Sequence, residues 1–140
     1  MAQVSSAPIA TTMQASPALS SEQSIPVYVS DTHIEKSQPM ARLGIMLGTY
    51  GRENPGRALL RLQSIDEGVI EIPFELSPLP DNAYRFFELD GRSYISGEIV
   101  YLSGGGVSTW QAVEPNGKVA TCLIYEYTSG MNRYTRGCPK

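Results

Sequence analysis

The sequence predicts an all-β chain, an antiparallel β-sandwich of jelly-roll-like form with about eight strands. Three observations carry that expectation. Several runs alternate apolar and polar residues at period two, the pattern of a half-buried strand. Turn residues fall between those runs. The 140 residues include 13 Gly and 10 Pro, and no segment shows a helical stripe.

The N-terminal stretch, residues 1–24, is rich in Ser, Ala, Thr, Gln and Pro, and Glu22 is its only charged side chain. Lacking apolar periodicity, it reads as a disordered tail or linker that cannot repay its ordering entropy. It has neither the basic start nor the apolar run of a signal peptide. Ala2-Gln3-Val4-Ser5-Ser6 suits the start of a mature exported protein after an added Met, and equally a linker within a larger protein. The folded domain is therefore expected over residues 25–140.

Strands are predicted at 25–29, 41–50, 57–65, 69–76, 84–90, 93–102, 107–113 and 118–128. In the second, Leu43, Ile45, Leu47 and Thr49 alternate with Arg42, Gly44, Met46 and Gly48. In the third, Ala58, Leu60 and Leu62 face away from Arg61 and Gln63. The fourth is the cleanest: Ile70, Ile72, Phe74 and Leu76 oppose Glu71, Pro73 and Glu75. Pro73 has no amide to donate, which points to an edge strand or a bulge. Farther on, Ile95, Ile99 and Tyr101 share a face, as do Val119, Thr121, Leu123, Tyr125 and Tyr127. Asn54-Pro55-Gly56, Asp66-Glu67-Gly68, Asp90-Gly91, Ser103-Gly104-Gly105-Gly106 and Asn116-Gly117 supply the turns. The run from Leu76 to Asn82, with Pro78 and Pro80, reads as a crossing between sheets.

A net charge of −3 argues against a nucleic-acid binder, which carries a basic stripe. No apolar run approaches the roughly 18 residues of a membrane-spanning helix. The glycine triple lacks the spacing of a phosphate loop. The single His, His33, lies in a polar Ser-Asp-Thr-His stretch and reads as a solvated loop residue. The carboxylates are scattered and read as solvated strand faces. No metal site or cofactor is implied, and no catalytic spacing is recognised, so the chain reads as a non-enzyme.

The aromatic residues are more informative: eight Tyr, three Phe and one Trp. Trp110, between Thr109 and Gln111, either fills the core or presents a flat ring at the surface. An exposed ring can stack on the apolar face of a sugar while neighbouring polar groups bind its hydroxyls.

The stretch Leu43-Gly44-Ile45-Met46-Leu47-Gly48-Thr49-Tyr50-Gly51-Arg52-Glu53-Asn54-Pro55-Gly56 resembles a segment of β-sandwich modules attached to bacterial polysaccharide glycosyltransferases. Leu79-Pro80-Asp81-Asn82-Ala83-Tyr84, Ser96-Gly97 and Val107-Ser108-Thr109-Trp110 match further segments in the same order. The resemblance covers residues 41–113. It implies a carbohydrate-binding-like module with no catalytic role, recognising a bacterial polysaccharide or glycan. Tyr50, Arg52, Asn54 and Trp110 are the ligand-binding candidates. Asn54 and Gly56 also have a plain turn role, Asp81-Asn82 suits a corner cap, and Arg52 can stack on Tyr50. The alternative is a secreted or surface structural module that binds a protein partner, with the Tyr-rich C-terminal strand as interface and Arg133, Arg136 and Lys140 facing an acidic partner.

This chain departs from the resembled pattern by lacking a transferase domain and by adding Cys122 and Cys138. A bridge between these two would tie the C-terminal segment to the sheet, worth about 3 kcal/mol in the chain-entropy model. The other reading is a buried thiol and an incidental one. A disulfide agrees with a secreted or periplasmic location; a cytoplasmic location within a larger protein stays open.

Overall fold

The computed structural model describes residues 12–29, 39–64, 68–93 and 96–139. Over these the chain is all-β, with eleven strands and no helix. They are β1 Thr12–Ala15, β2 Ile25–Val27, β3 Met40–Gly48, β4 Gly56–Gln63, β5 Val69–Glu75, β6 Ala83–Arg92, β7 Ser96–Gly104, β8 Ser108–Val113, β9 Val119–Thr121, β10 Leu123–Tyr127 and β11 Asn132–Tyr134.

The first eight strands pair as a nested set: β1 with β8, β2 with β7, β3 with β6, and β4 with β5, all antiparallel. β8 also pairs β3, and β7 also pairs β4. The result is two packed sheets. One runs β2-β7-β4-β5; the other holds β1, β8, β3 and β6, with β9, β10 and β11 added. Tyr28 and Thr121 stitch the sheets along one side, with two bonds of 2.8 Å: the Tyr28 amide donates to Thr121 Oγ1, and the Thr121 amide donates to the Tyr28 carbonyl.

The alternation read from sequence points into the core as expected. Leu43, Ile45 and Leu47 of β3 meet Ala58, Leu60 and Leu62 of β4, all fully buried. Phe74 and Phe87 join the two sheets edge to face, with centroids 5.0 Å apart. β5 is an edge strand, consistent with Pro73. Its charged face forms ion pairs at register positions, Arg61 with Glu71 and Arg57 with Glu75. Both are exposed and contribute at most about 1 kcal/mol each. The segment after β5 crosses between the sheets, as its prolines suggested.

Four expectations need correction. Residues 12–24 are not a disordered tail. β1 pairs β8 along its whole length, although all four of its side chains are exposed. Backbone bonds continue past it: Ser16 N to Thr109 O at 2.8 Å, and Leu19 N to Val107 O at 2.7 Å. Leu19 is then buried to 1% exposure in the core. Such a segment is held by ladder bonds and one anchor, which composition does not register.

Secondly, Asp90-Gly91 does not end its strand. Both residues take positive φ, 52° and 81°, but β6 continues to Arg92, which pairs Met40 across a register shift. The pair makes a bulge rather than a reversal. Thirdly, the predicted strand 118–128 changes partner at Cys122: β9 pairs β8 and β10 pairs β3. Fourthly, Tyr125 and Tyr127 are buried in the core, so the Tyr-rich strand is not an exposed interface. His33, Lys140, Ile95, Asp66, Glu67 and residues 1–11 lie outside the described residues.

Cys122 and Cys138 form the disulfide, with Cα atoms 5.6 Å apart. The C-terminal segment has further ties. Thr135 Oγ1 donates to Thr121 O at 2.7 Å and accepts from Leu123 N at 3.1 Å. The Tyr84 hydroxyl donates to the Pro139 carbonyl. Burial pushes the Tyr84 pKa up to about 12, which keeps that donor protonated.

Two stability measurements check this architecture. Leu19→Ala should cost about 2–5 kcal/mol in denaturant unfolding, while Met13→Ala on exposed β1 stays within about 0.5 kcal/mol. Equal, small effects would return the segment to a loose tail. Reducing the disulfide should lower stability by about 2–4 kcal/mol; an unchanged denaturation midpoint would count against a stabilising bridge.

Candidate functional site

The end of β3 turns sharply. Thr49 O accepts from Arg52 N at 3.3 Å, and Tyr50 and Gly51 between them have φ of 60° and 68°. Two consecutive positive φ values define a type I′ reversal. Gly51 fits without strain. Tyr50 does not, since a bulky side chain in the left-handed region costs roughly 1–2 kcal/mol. Such strain persists where surrounding structure enforces it, and it gathers at functional positions.

The enforcement comes from Asn54, which is 2% exposed. Its Nδ2 donates to Thr49 O at 3.1 Å and to Arg52 O at 3.4 Å, and its Oδ1 accepts from Arg52 Nε at 2.9 Å. From outside the turn, Asp81 Oδ1 accepts from the Thr49 amide at 2.7 Å. This is the corner cap expected of the Asp81-Asn82 step. The hydrogen bond from the Thr49 amide holds the Asp81 carboxyl below the usual carboxylate range.

The glycine triple closes the corner from behind. A Cβ on Gly104 would stand 1.8 Å from Pro55 O, one on Gly105 2.4 Å from Leu19 O, and one on Gly106 2.5 Å from Asn54 Oδ1. All three glycines have positive φ. The loop is a site of close backbone approach, which only glycine permits.

On the outer side of this corner lies an open cleft of about 270 Å3, lined by Ala15, Gly48, Tyr50, Asp81, Asn82, Ser108 and Trp110. Tyr50 is 55% exposed and Trp110 is half-buried. The Tyr50 hydroxyl and Ser108 Oγ lie 2.7 Å apart in a hydrogen bond. Trp110 Nε1 donates to Asn82 Oδ1 at 2.7 Å. Asn82 is itself left-handed, with φ of 57°. Gly48 stands between these groups: a Cβ there would meet Trp110 Nε1 at 3.3 Å and Asn82 Oδ1 at 3.8 Å. The arrangement offers two aromatic groups, a hydroxyl, an amide and a carboxylate to a small polar ligand.

The sequence candidates are thus placed unequally. Tyr50 and Trp110 come together in one cleft. Arg52 lies beside it, its guanidinium 5.1 Å from the Tyr50 ring centroid, which realises the stacking between those two side chains. Asn54 does not face a ligand; it is the buried brace of the turn, a correction that its 2% exposure imposes. Asn82 and Ser108 complete the cleft without any signal of their own in residue type, though both stand in the segments that carry the resemblance. Ala15 lies in the stretch whose composition reads as a tail, so residue type gives no sign of its place in the cleft.

Family models, curated proteins and solved structures yield no match to the chain. Among the described residues, no group of three or more His, Cys, Asp or Glu is placed to hold a metal ion. No described helix is long and apolar enough to cross a membrane.

Asp81 makes the corner sensitive to acid. Its folded pKa is depressed, so its contribution is present above the unfolded value, about 3.9, and is lost as pH falls through the folded value. Trp110 is the only Trp, and its partner Asn82 follows Asp81 directly. An acid titration of its fluorescence should show a transition below about pH 4 that Asp81→Asn removes. A transition unchanged in that variant would detach Asp81 from the corner.

Proposed function

We propose that the protein is a non-catalytic carbohydrate-binding module that recognises a bacterial polysaccharide or glycan through the Tyr50–Trp110 cleft. The observation that carries this reading is the convergence of two partly exposed aromatic residues on one cleft with Asn82, Ser108 and Asp81. Sugars bind shallow sites by stacking on rings and by a few directed hydrogen bonds. The strained φ of Tyr50 supports it further, because a type I′ turn favours Gly, Asn or Asp at that position and strained residues gather at functional sites.

The resemblance to glycosyltransferase-attached modules supports the same reading. Its motifs are far apart in sequence, yet Tyr50, Asp81, Asn82, Ser108 and Trp110 all line this cleft. We read the scaffold as a jelly roll. The support is the nested pairing of the first eight strands, which gives orders 2-7-4-5 and 1-8-3-6, as in an eight-stranded roll of two Greek keys. The disulfide suits an extracytoplasmic setting.

A single shallow site of this kind binds weakly, with a Kd of about 0.1–1 mM, or roughly −4 to −5.5 kcal/mol. Tyr50→Gly separates binding from folding. It relieves left-handed strain of about 1 kcal/mol and gives up one hydrogen bond of similar worth. Stability should stay within about 1 kcal/mol of the parent, while binding to polysaccharide in affinity gel electrophoresis falls at least about threefold, the loss of one stacking contact. If Tyr50→Gly and Trp110→Ala both lower the melting temperature and no glycan binds, the residues are packing elements. The structural or protein-interaction reading then takes precedence.

A further inference from the structure

The Tyr50–Trp110 cleft has a neighbour. A second open cleft, of about 340 Å3, is lined by Thr49, Arg52, Glu53, Ser77, Leu79 and Asp81, among others. Asp81 borders both clefts. The stack of Arg52 on Tyr50, at 5.1 Å, links a residue of one to a residue of the other. The two clefts therefore flank a single corner, the 49–52 turn.

We propose that this pair forms two adjoining subsites for a neutral, chain-like glycan, which crosses the corner and places successive sugar units in the two clefts. The inference rests on the sugar-binding reading above and specifies its ligand. Each cleft lies near the lower limit of about 300 Å3 for small-ligand pockets, so neither suits more than a short piece of chain. Their chemistry differs in a way a polymer can use. The first supplies aromatic surface. The second supplies Glu53 and Asp81 carboxylates, which accept from sugar hydroxyls. These two acids outnumber the one cation, Arg52. Arg52 is itself partnered by Asn54 Oδ1 at 2.9 Å and Gly106 O at 3.4 Å. A uronate chain would meet this acidic lining unfavourably, whereas a neutral one would not.

The test is a length series. Cello-, malto- and manno-oligosaccharides of one to six units are titrated against the full chain, read by Trp110 fluorescence and by calorimetry, with oligogalacturonates as the anionic comparison. Two linked subsites should raise affinity at least about fivefold between one and three units in one of the neutral series. Glu53→Ala should shrink that ratio, and Tyr50→Gly should weaken binding at every length. Binding that is present but indifferent to length would overturn the two-subsite inference and leave the sugar-binding reading standing. Tighter binding of galacturonates than of any neutral series would overturn the neutral assignment. No binding anywhere in the panel would overturn the reading itself and the inference with it.

Discussion

At Cys122 the chain runs between two strands that are separating. Its amide donates to Trp110 O on β8 at 2.8 Å, and its carbonyl accepts from Met46 N on β3 at 3.1 Å. A strand edge can satisfy one neighbour at each position. Along one edge of β3, residues 47–48 therefore pair β8 while residues 40–45 pair β10. The strand from Val119 to Tyr127 is a wedge: it pairs β8 first and β3 afterwards. The disulfide and the Thr135 hydroxyl fasten the C-terminal segment to that wedge. Trp110, at the point of the fork, is held by its own backbone and not by its ring alone. The cleft opens where β8 and β3 still meet, at Gly48 and Ser108.

Above that fork the corner is an exercise in satisfying backbone groups. Thr49 O accepts from Arg52 N and Asn54 Nδ2, and Thr49 N donates to Asp81. Three connecting segments meet there: the turn after β3, the crossing into β6 and the glycine loop before β8. The close fit of Gly104, Gly105 and Gly106 leaves no room for side chains behind the corner. This bracing bears on the proposed ligand binding. A site that is already braced loses less ordering entropy when occupied, so fewer contacts are needed to hold a ligand there. Tyr50 is the one bulky side chain among the described left-handed residues, and it is the more exposed of the two cleft aromatics.

The sheet that holds β3, β6 and β10 shows the same economy in another form. Arg42 makes two bonds to Glu126, at 2.7 and 3.0 Å, and stacks on Phe86 at 4.2 Å. Gly44 beside it leaves space for the Phe86 ring: a Cβ there would stand 2.8 Å from Phe86 Cε1. The Gly of an alternating strand thus marks a ring lying across it, a role that periodicity alone does not distinguish from a bulge.

Period-two alternation and turn residues sufficed to assign the all-β class, the β4–β5 hairpin and the core faces of β3 and β4, because burial of one sheet face writes itself into every second residue; Pro73 left an edge strand and a bulge both open, and the sheet order decides for the edge. Cysteine count and placement suited the bridge, and Tyr50 and Trp110 stood out as aromatic residues near strand ends. What alternation does not encode is pairing between distant segments. β1 has four exposed side chains and is ordered by the backbone of β8; its ladder bonds leave no trace in residue type. Asn54 carries the same letter whether it faces a ligand or braces a turn, and only its burial under Thr49 and Arg52 decides. The meeting of Tyr50, Asn82, Ser108 and Trp110 depends on which strands lie side by side. Nested pairing of strands far apart in sequence makes that choice, and it belongs to the tertiary structure.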